Sequence, residues 1–182
     1  MAVERTVDSR EIYRGRVVSL RLETVELPDG FRTTREIVVH GEAVGIVPVL
    51  PDGRVVLVRQ FRKPAGAELI EIPAGGVEPG ESPEGCARRE LVEETGFSPG
   101  RLVPLAQFYL APGYSTELMH LYLALELVPA RGKAAPDERI ELLTVPLAEA
   151  IALIECGEIR DCKTVAGLFL AREFLRREGG PR

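Results

Sequence analysis

The sequence GGVEPGESPEGCARRELVEETGF, residues 75–97, crowds three glutamates into the second half of a predicted helix. Ser82 is a typical N-cap, because its hydroxyl can accept a hydrogen bond from a backbone N–H of the first turn. Pro83 suits the first helical position and Gly96 suits the residue just past the last turn. These signals predict a helix that starts at residue 83 and stops before Gly96.

The spacing of the glutamates places two of them on the same face of this helix. Glu90 and Glu94 lie about 40° apart on one face, because successive residues turn by about 100°. Like charges at this spacing destabilise a helix by about 0.2–0.5 kcal/mol, whereas a bound divalent cation would turn the repulsion into attraction. Oxygen-only ligands favour Mg²⁺ or Mn²⁺, and RELVEETG (89–96) contains no histidine or cysteine for zinc. The alternative is a solvent-exposed face whose charges are balanced by neighbouring arginines.

Composition narrows the classes of function. The chain has 182 residues, a net charge of −5 and 45% hydrophobic residues, which is typical of a globular protein. The acidic balance argues against nucleic-acid and membrane-surface partners. Three widely spaced cysteines form no metal or disulfide pattern, and the first residues are too charged for a signal peptide. We therefore expect a cytoplasmic protein with reduced thiols.

Turn and periodicity signals divide the chain into strands and helices. Two PDG turns each predict a hairpin, joining 17–27 to 31–40 and 43–50 to 54–61. Hairpin-linked strands with inserted helices predict an α+β fold. The first sheet has too little core to stand alone and must pack on the rest of the chain or on a second subunit. Further strands are predicted at 67–76, 101–110, 116–127 and 138–145, and two C-terminal helices at 147–159 and 162–178.

Residues 75–97 resemble the Nudix box, G-x5-E-x7-R-E-U-x-E-E-x-G-U with U apolar, and match it at every fixed position. Seven fixed identities at fixed spacing arise by chance with a probability on the order of 10⁻⁸ per starting position, given average residue usage. The resemblance implies an α/β/α sandwich with a mixed sheet. It also implies Mg²⁺-dependent hydrolysis of a nucleoside diphosphate that is linked to another group, with Mn²⁺ as the other candidate metal.

The same resemblance implies site residues. Glu90, Glu94 and the backbone carbonyl of Ala74 would bind the metal. Glu93 would be a further ligand or a partner that holds the catalytic Arg89, and the first glutamate of the box would contribute secondarily. The roles suit the chemistry, because a divalent cation neutralises diphosphate oxygens and makes a bound water easier to deprotonate.

Looser motifs outside the box are similar to those of the ADP-ribose pyrophosphatases: VRQFRKP (58–64), EIPAG (71–75), APGYSTE (111–117) and an N-terminal VELPDG followed by TTREIVVH. In that group a proline after the box, here Pro112, accompanies a preference for ADP-ribose. The resemblance implies cleavage of ADP-ribose to AMP and ribose 5-phosphate. It also implies a homodimer that exchanges the N-terminal sheet, residues 1–42, while residues 43–182 form the hydrolase domain and both subunits line each site.

Substrate contacts are expected from several side chains. Arg62 would bind the diphosphate or the terminal ribose, since a guanidinium fits phosphate oxygens; the alternative is a surface salt bridge. Glu36 would reach a ribose hydroxyl or the adenine, and Glu117 would lie near the metals or the ribose. The chain has no tryptophan, so Tyr13 or Phe31 would stack on the adenine. Phe31 is, however, more typical of a core residue.

The general base is expected in the loop 130–141, by resemblance to enzymes in which a loop glutamate accepts the proton of the attacking water. Glu138 is the favoured candidate, with Glu141 as its competitor and Asp137 as a third acid. The alternative is an exposed acidic turn. Glu71, just before the glycine loop, is interpreted as structural.

Two other functions stay open. A Nudix hydrolase could act on a different substrate, such as GDP-mannose, NADH, a dinucleoside polyphosphate or an oxidised nucleotide. A non-catalytic module could bind ADP-ribose and regulate a partner, although such modules are expected to carry a broken box or an attached DNA-binding domain.

Overall fold

The computed structural model describes residues 3–132 and 139–179. Within these ranges the strands are β1 (Arg5–Arg14), β2 (Ser19–Glu26), β3 (Arg32–Val39), β4 (Ala43–Pro48), β5 (Arg54–Arg62), β6 (Ala67–Glu71), β7 (Ala74–Gly76), β8 (Phe97–Tyr109), β9 (Leu118–Pro129) and β10 (Glu141–Pro146). The helices there are α1 (Pro83–Thr95), α2 (Leu147–Glu155) and α3 (Cys162–Arg177). None of these helices is both long and apolar enough to cross a membrane.

The first compact unit comprises Met1–Glu42 and Tyr109–Leu118. Its sheet is antiparallel in the order β1-β2-β3, and a turn over 28–30 joins β2 to β3 as predicted. The segment 109–118 is tied to the edge strand β3, because the N–H of Val38 donates to the carbonyl of Tyr114 at 2.8 Å. The loop that follows β8 is therefore part of this unit.

The first unit has very little core of its own. Among its described residues only Val25 is a buried apolar side chain, whereas Val17 and Phe31 are 62% and 63% exposed. The interpretation of Phe31 as a core residue is wrong for this chain. Its N–H donates to the carboxylate of Asp29 at 3.0 Å, so Phe31 lies at the hairpin turn, where the sheet ends.

The second compact unit, Ala43–Phe108 with Met119–Arg182, contains two sheets. One has the order β7-β4-β9-β8, with β4 parallel to β9 and antiparallel to β7. The other is antiparallel, in the order β10-β5-β6. Mixed strand directions and inserted helices confirm the predicted α+β class.

The predicted hairpin between 43–50 and 54–61 is wrong. The turn between them forms, but β4 and β5 enter different sheets, and the described residues join them through one bridge between Val49 and Val55. All residues of β4 are buried. A strand covered on both faces takes a central position with neighbours on both edges, which β7 and β9 provide.

Apolar clusters on both faces of β4 define the layers of this unit. Val44 and Ile46 pack with Leu91 of α1. Val47, which faces the other way, belongs to the cluster that includes Leu168 of α3. The sheet is thus covered by α1 on one face and α3 on the other, which confirms the predicted helix–sheet–helix sandwich.

Candidate functional site

Helix α1 begins and ends where the sequence predicts. The hydroxyl of Ser82 accepts a hydrogen bond from the N–H of Gly85 at 3.0 Å. Gly96 has a φ of 73° and its N–H donates to the carbonyl of Val92, which closes the last turn. A left-handed residue suits glycine because it has no Cβ to clash. Because Leu91 and its neighbours face the core, the register of α1 against the sheet is fixed.

Glu90 and Glu94 both face the short strand β7. The N–H of Ala74 donates to Glu94 Oε2 at 3.1 Å. A Cβ added to Gly75 would lie 2.0 Å from the carboxyl carbon of Glu90, so only glycine leaves room for that carboxylate. Strand β7 is in turn held against β4, where Ala74 pairs with Gly45. The structure therefore brings together three predicted metal ligands: two carboxylates and the backbone of residue 74.

Arg89 organises the other acids of the box. Its guanidinium donates to Glu81, the first glutamate of the box, through Nε and Nη2 at 3.0 Å each. Its Nη1 donates to Glu90 at 2.6 Å and to Glu93 at 3.0 Å. Hydrogen bonds from Arg89 lower the pKa of Glu81 to about 2, and those same acids raise the pKa of Arg89. Glu81 and Arg89 therefore stay ionised at neutral pH, and Glu93 is a hydrogen-bond partner of Arg89.

The residues around β7 fit a hard divalent cation. Their donor atoms are oxygens, which Mg²⁺ and Mn²⁺ prefer. Within 3–132 and 139–179, no three histidine, cysteine, aspartate or glutamate side chains are grouped as a metal site. The side-chain donors expected at β7 are those of Glu90 and Glu94, and the remaining protein oxygen expected there is the backbone carbonyl of Ala74.

Cys86 lies on the buried side of α1 and takes no part in this donor set. Its thiol donates to the carbonyl of Gly76 at 3.2 Å. Burial raises the thiol pKa to about 12, so the group stays protonated and is a poor metal ligand.

Arg62 is paired with a buried carboxylate. Its Nε and Nη2 each donate to the carboxylate of Glu71 at 2.7 Å, while 40% of the Arg62 side chain stays exposed. Burial alone would raise the pKa of Glu71, but hydrogen bonds from Arg62 and the charge of Lys163 more than offset it, so the pKa is lowered. Glu71 is thus an ionised, buried carboxylate that orients Arg62.

The sequence reasoning missed Lys163 and its neighbours. Lys163 Nζ lies 2.5 Å from Glu71 Oε2 and 3.0 Å from Asp161 Oδ2. One signal was available: Lys163 is one of three lysines in the chain and lies in the first turn of α3, two residues after the N-cap Asp161. A cation there opposes the helix dipole, so a specific acidic partner was to be expected.

The remaining predicted substrate residues lie in the first compact unit. Tyr13 is exposed on β1 opposite Leu20, and Glu36 is exposed on β3. Pro112 occupies an exposed turn. Glu117 lies 3.8 Å from the ring of His40 in the same unit.

Two of the candidate bases, Glu138 and Asp137, lie outside the described residues. Glu141 is the first residue of β10, exposed and paired in register with Arg59 of β5. As a strand residue, Glu141 has a fixed backbone position.

Comparison with known proteins agrees with the geometry. Residues 39–166 match the NUDIX domain, and residues 4–38 match the nucleoside diphosphate sugar hydrolase N-terminal domain. The chain is 42% identical over 163 residues to the ADP-ribose pyrophosphatase of Bacillus subtilis (strain 168), covering 88% of each chain. It is 40% identical over 147 residues to the GDP-mannose pyrophosphatase of Citrobacter koseri, covering 75% of this chain and 76% of that protein.

A solved structure agrees with these relatives. The chain superposes on the crystal structure of an ADP compounds hydrolase with a TM-score of 0.88 and 28% identity, covering 97% of this chain and 96% of that one. The box helix, the acids that face β7, and the match over residues 39–166 all lead to one conclusion: the chain belongs to the NUDIX domain family.

Proposed function

We propose that this chain is a pyrophosphohydrolase that cleaves the diphosphate of ADP-ribose to AMP and ribose 5-phosphate. The observation that carries the proposal is the pair Glu90 and Glu94 around β7, in a chain 42% identical to an ADP-ribose pyrophosphatase over 88% of its length. Three free cysteines among the described residues support a reducing compartment, and we place the enzyme in the cytoplasm.

Glu90, Glu94 and the carbonyl of Ala74 would hold Mg²⁺ or Mn²⁺. When bound, such a metal neutralises diphosphate oxygens and lowers the pKa of a coordinated water. Arg89 holds Glu93 and Glu81 in place through hydrogen bonds next to these ligands. Its bond to Glu90 holds that carboxylate in place beside Gly75.

Several side chains are proposed to contact the substrate. Arg62, oriented by Glu71, presents its exposed guanidinium edge to the diphosphate or the terminal ribose. Tyr13, Glu36, Pro112 and Glu117 would contact the adenine and riboses in a homodimer that exchanges the sheet of residues 1–42. The nearly coreless sheet supports that exchange, because a second copy would bury its exposed apolar residues.

A carboxylate within residues 130–141 would accept the proton of the attacking water. Glu138 remains our favoured base, with Glu141 and Asp137 as the other acids of that segment.

GDP-mannose is the second candidate substrate. The observation in its favour is the 40% identity to a GDP-mannose pyrophosphatase over 75% of the chain. The chemistry at the diphosphate would be unchanged, and only the base and sugar contacts would differ.

The first experiment measures release of AMP from ADP-ribose with Mg²⁺, for the wild type and for Glu94→Gln. GDP-mannose and NADH are assayed alongside, and EDTA provides the metal-free control. We expect rapid wild-type cleavage of ADP-ribose and a loss of several orders of magnitude in kcat for the variant, since the amide is a poor ligand for a hard cation.

The possible outcomes separate the candidate functions. Faster cleavage of GDP-mannose or NADH would keep the metal chemistry and replace the substrate. Tight binding of ADP-ribose without turnover would overturn the enzymatic function and favour a regulatory module. Full activity of Glu94→Gln would remove Glu94 from the metal site.

A further inference from the structure

A buried ionic network lies directly before strand β7. Glu71 is 1% exposed and Lys163 is 8% exposed. Lys163 Nζ donates to Glu71 at 2.5 Å and to Asp161 at 3.0 Å, while the guanidinium of Arg62 holds the same Glu71 carboxylate through two hydrogen bonds. Two cations and two carboxylates therefore compensate one another.

The network also fixes the backbone that leads into the site. Asp161 caps helix α3 by accepting from the N–H of Thr164 at 3.0 Å. The hydroxyl of Thr164 accepts a hydrogen bond from the N–H of Ile72 at 2.8 Å. Residues 71 and 72 are thus each bonded to the first turn of α3, and Ala74 follows two residues later.

Stability alone does not explain why Glu71 and Lys163 are buried as an ion pair. Removing charges from water costs free energy, and well-packed apolar residues in the same place are often equally or more stabilising. Charged groups add a fixed orientation, because their hydrogen bonds hold a carboxylate in one position. Here the oriented group is Glu71, which orients Arg62 in turn. Hydrogen bonds to Glu71 raise the pKa of Arg62, and the charge of Glu94 on α1 adds to that shift.

We infer that Lys163 is a positioning residue of the hydrolytic site, which acts through Glu71 on Arg62 and on the segment that carries Ala74. The inference rests on the proposed function for the identity of the site. It adds that the first turn of α3, 92 residues from Glu71 in sequence, determines the geometry of both phosphate and metal binding.

The test replaces Lys163 by methionine, which keeps the length of the side chain and removes its charge. We expect kcat to fall roughly tenfold or more, the usual cost of losing a group that orients a ligand. Binding of Mn²⁺ to the substrate-free protein, followed by electron paramagnetic resonance, should weaken by a similar factor. Lys163→Arg should recover part of both, because it restores a buried cation.

Two further variants separate positioning from stability. Leu168→Ala removes a buried side chain from the same helix and should lower Tm while leaving kcat and the affinity for Mn²⁺ near wild type. Glu71→Gln with Lys163→Met removes both charges, so it should regain stability without regaining kcat. This double variant keeps the inference testable if Lys163→Met alone does not fold.

Lys163 would be merely structural if Lys163→Met matched Leu168→Ala in every measurement apart from Tm. Recovery of kcat by the double variant would likewise overturn the inference. If the wild type cleaves none of the nucleotide substrates, the proposed function fails, but the comparison of affinities for Mn²⁺ still decides the role of Lys163.

Discussion

Gly75 shows how one missing methyl group shapes the site. The carboxylate of Glu90 occupies the space where a Cβ of residue 75 would lie. The ideal position of that Cβ is 2.0 Å from the carboxyl carbon of Glu90. The neighbouring Gly76 has no heavy atom within 4 Å of the same ideal position. The two adjacent glycines therefore have different roles, which the sequence GG alone does not reveal.

Gly75→Ala should lose activity while staying folded. The new methyl group would displace the flexible end of Glu90, and misplacement of a ligand by about 1 Å costs roughly 100-fold in rate. Gly76→Ala is the matched control and should keep nearly full activity. Kinetics with Mg²⁺ and thermal melts of both variants check this, and equal activity of the two would contradict the role assigned to Gly75.

At the scale of elements, α1 is capped at both ends. Ser82 supplies the N-cap bond to Gly85, and Gly96 ends the helix in a left-handed conformation. Because α1 carries both carboxylates that face β7, its first turn also matters for the geometry of the site.

Ser82→Ala should lower the free energy of unfolding by about 1 kcal/mol, since the N–H of Gly85 loses its acceptor. Ser82→Asp should retain the cap, because aspartate accepts the same bond and its charge suits a helix N-terminus. Urea denaturation with matched slopes measures both changes. A Ser82→Asp variant as unstable as Ser82→Ala would show that the hydroxyl acts in some other way.

Elements were predictable from the sequence wherever the signal is local. The bounds of α1, the turn at 28–30 and the final helix follow from caps, turns and periodicity. Strand partners were not predictable in this way: the PDG at 51–53 looks like the one at 28–30, yet β4 leaves its neighbour and pairs with β9. The continuous apolar run AVGIVPVL is the available hint, because it is typical of a strand buried on both faces.

The residues of the candidate site also differ in how far the sequence could predict them. Glu90, Glu94 and Arg89 sit in one contiguous motif, so their spacing identified them. Lys163 and Glu71 come together only in the fold, so no local pattern joins them.

At the scale of the whole molecule, the exposed apolar residues of the first unit are the main unexplained surface. Within the described part of that unit, a three-stranded sheet with a single buried apolar residue has too little core for independent stability. Exposed apolar surface of this kind marks an interaction site, and a second copy of the chain is the partner we propose.

Replacing Val17 and Phe31 together by aspartate should halve the mass measured by light scattering, because burying two charges at a dimer interface is unfavourable. Activity on ADP-ribose should fall with it if both subunits line each site. Val128→Asp is the control, since Val128 is 56% exposed on β9. A wild type that is already monomeric, or a double variant that keeps its mass, would contradict the exchanged sheet.

The pairing of β5 with β10 has a consequence for synthesis on the ribosome. β5 ends at Arg62 and β10 begins at Glu141, so roughly 80 residues are translated in between, which takes about 4–16 s at about 5–20 residues per second. During that interval the nascent β5 lacks one neighbour and presents an open edge to chaperones. The delay is longer for Glu71, because its partner Lys163 is synthesised 92 residues later, and until then the carboxylate stays hydrated. Helix α1, which carries Glu90 and Glu94, is therefore made early, but the ionic network around Glu71 is assembled only when α3 has been synthesised.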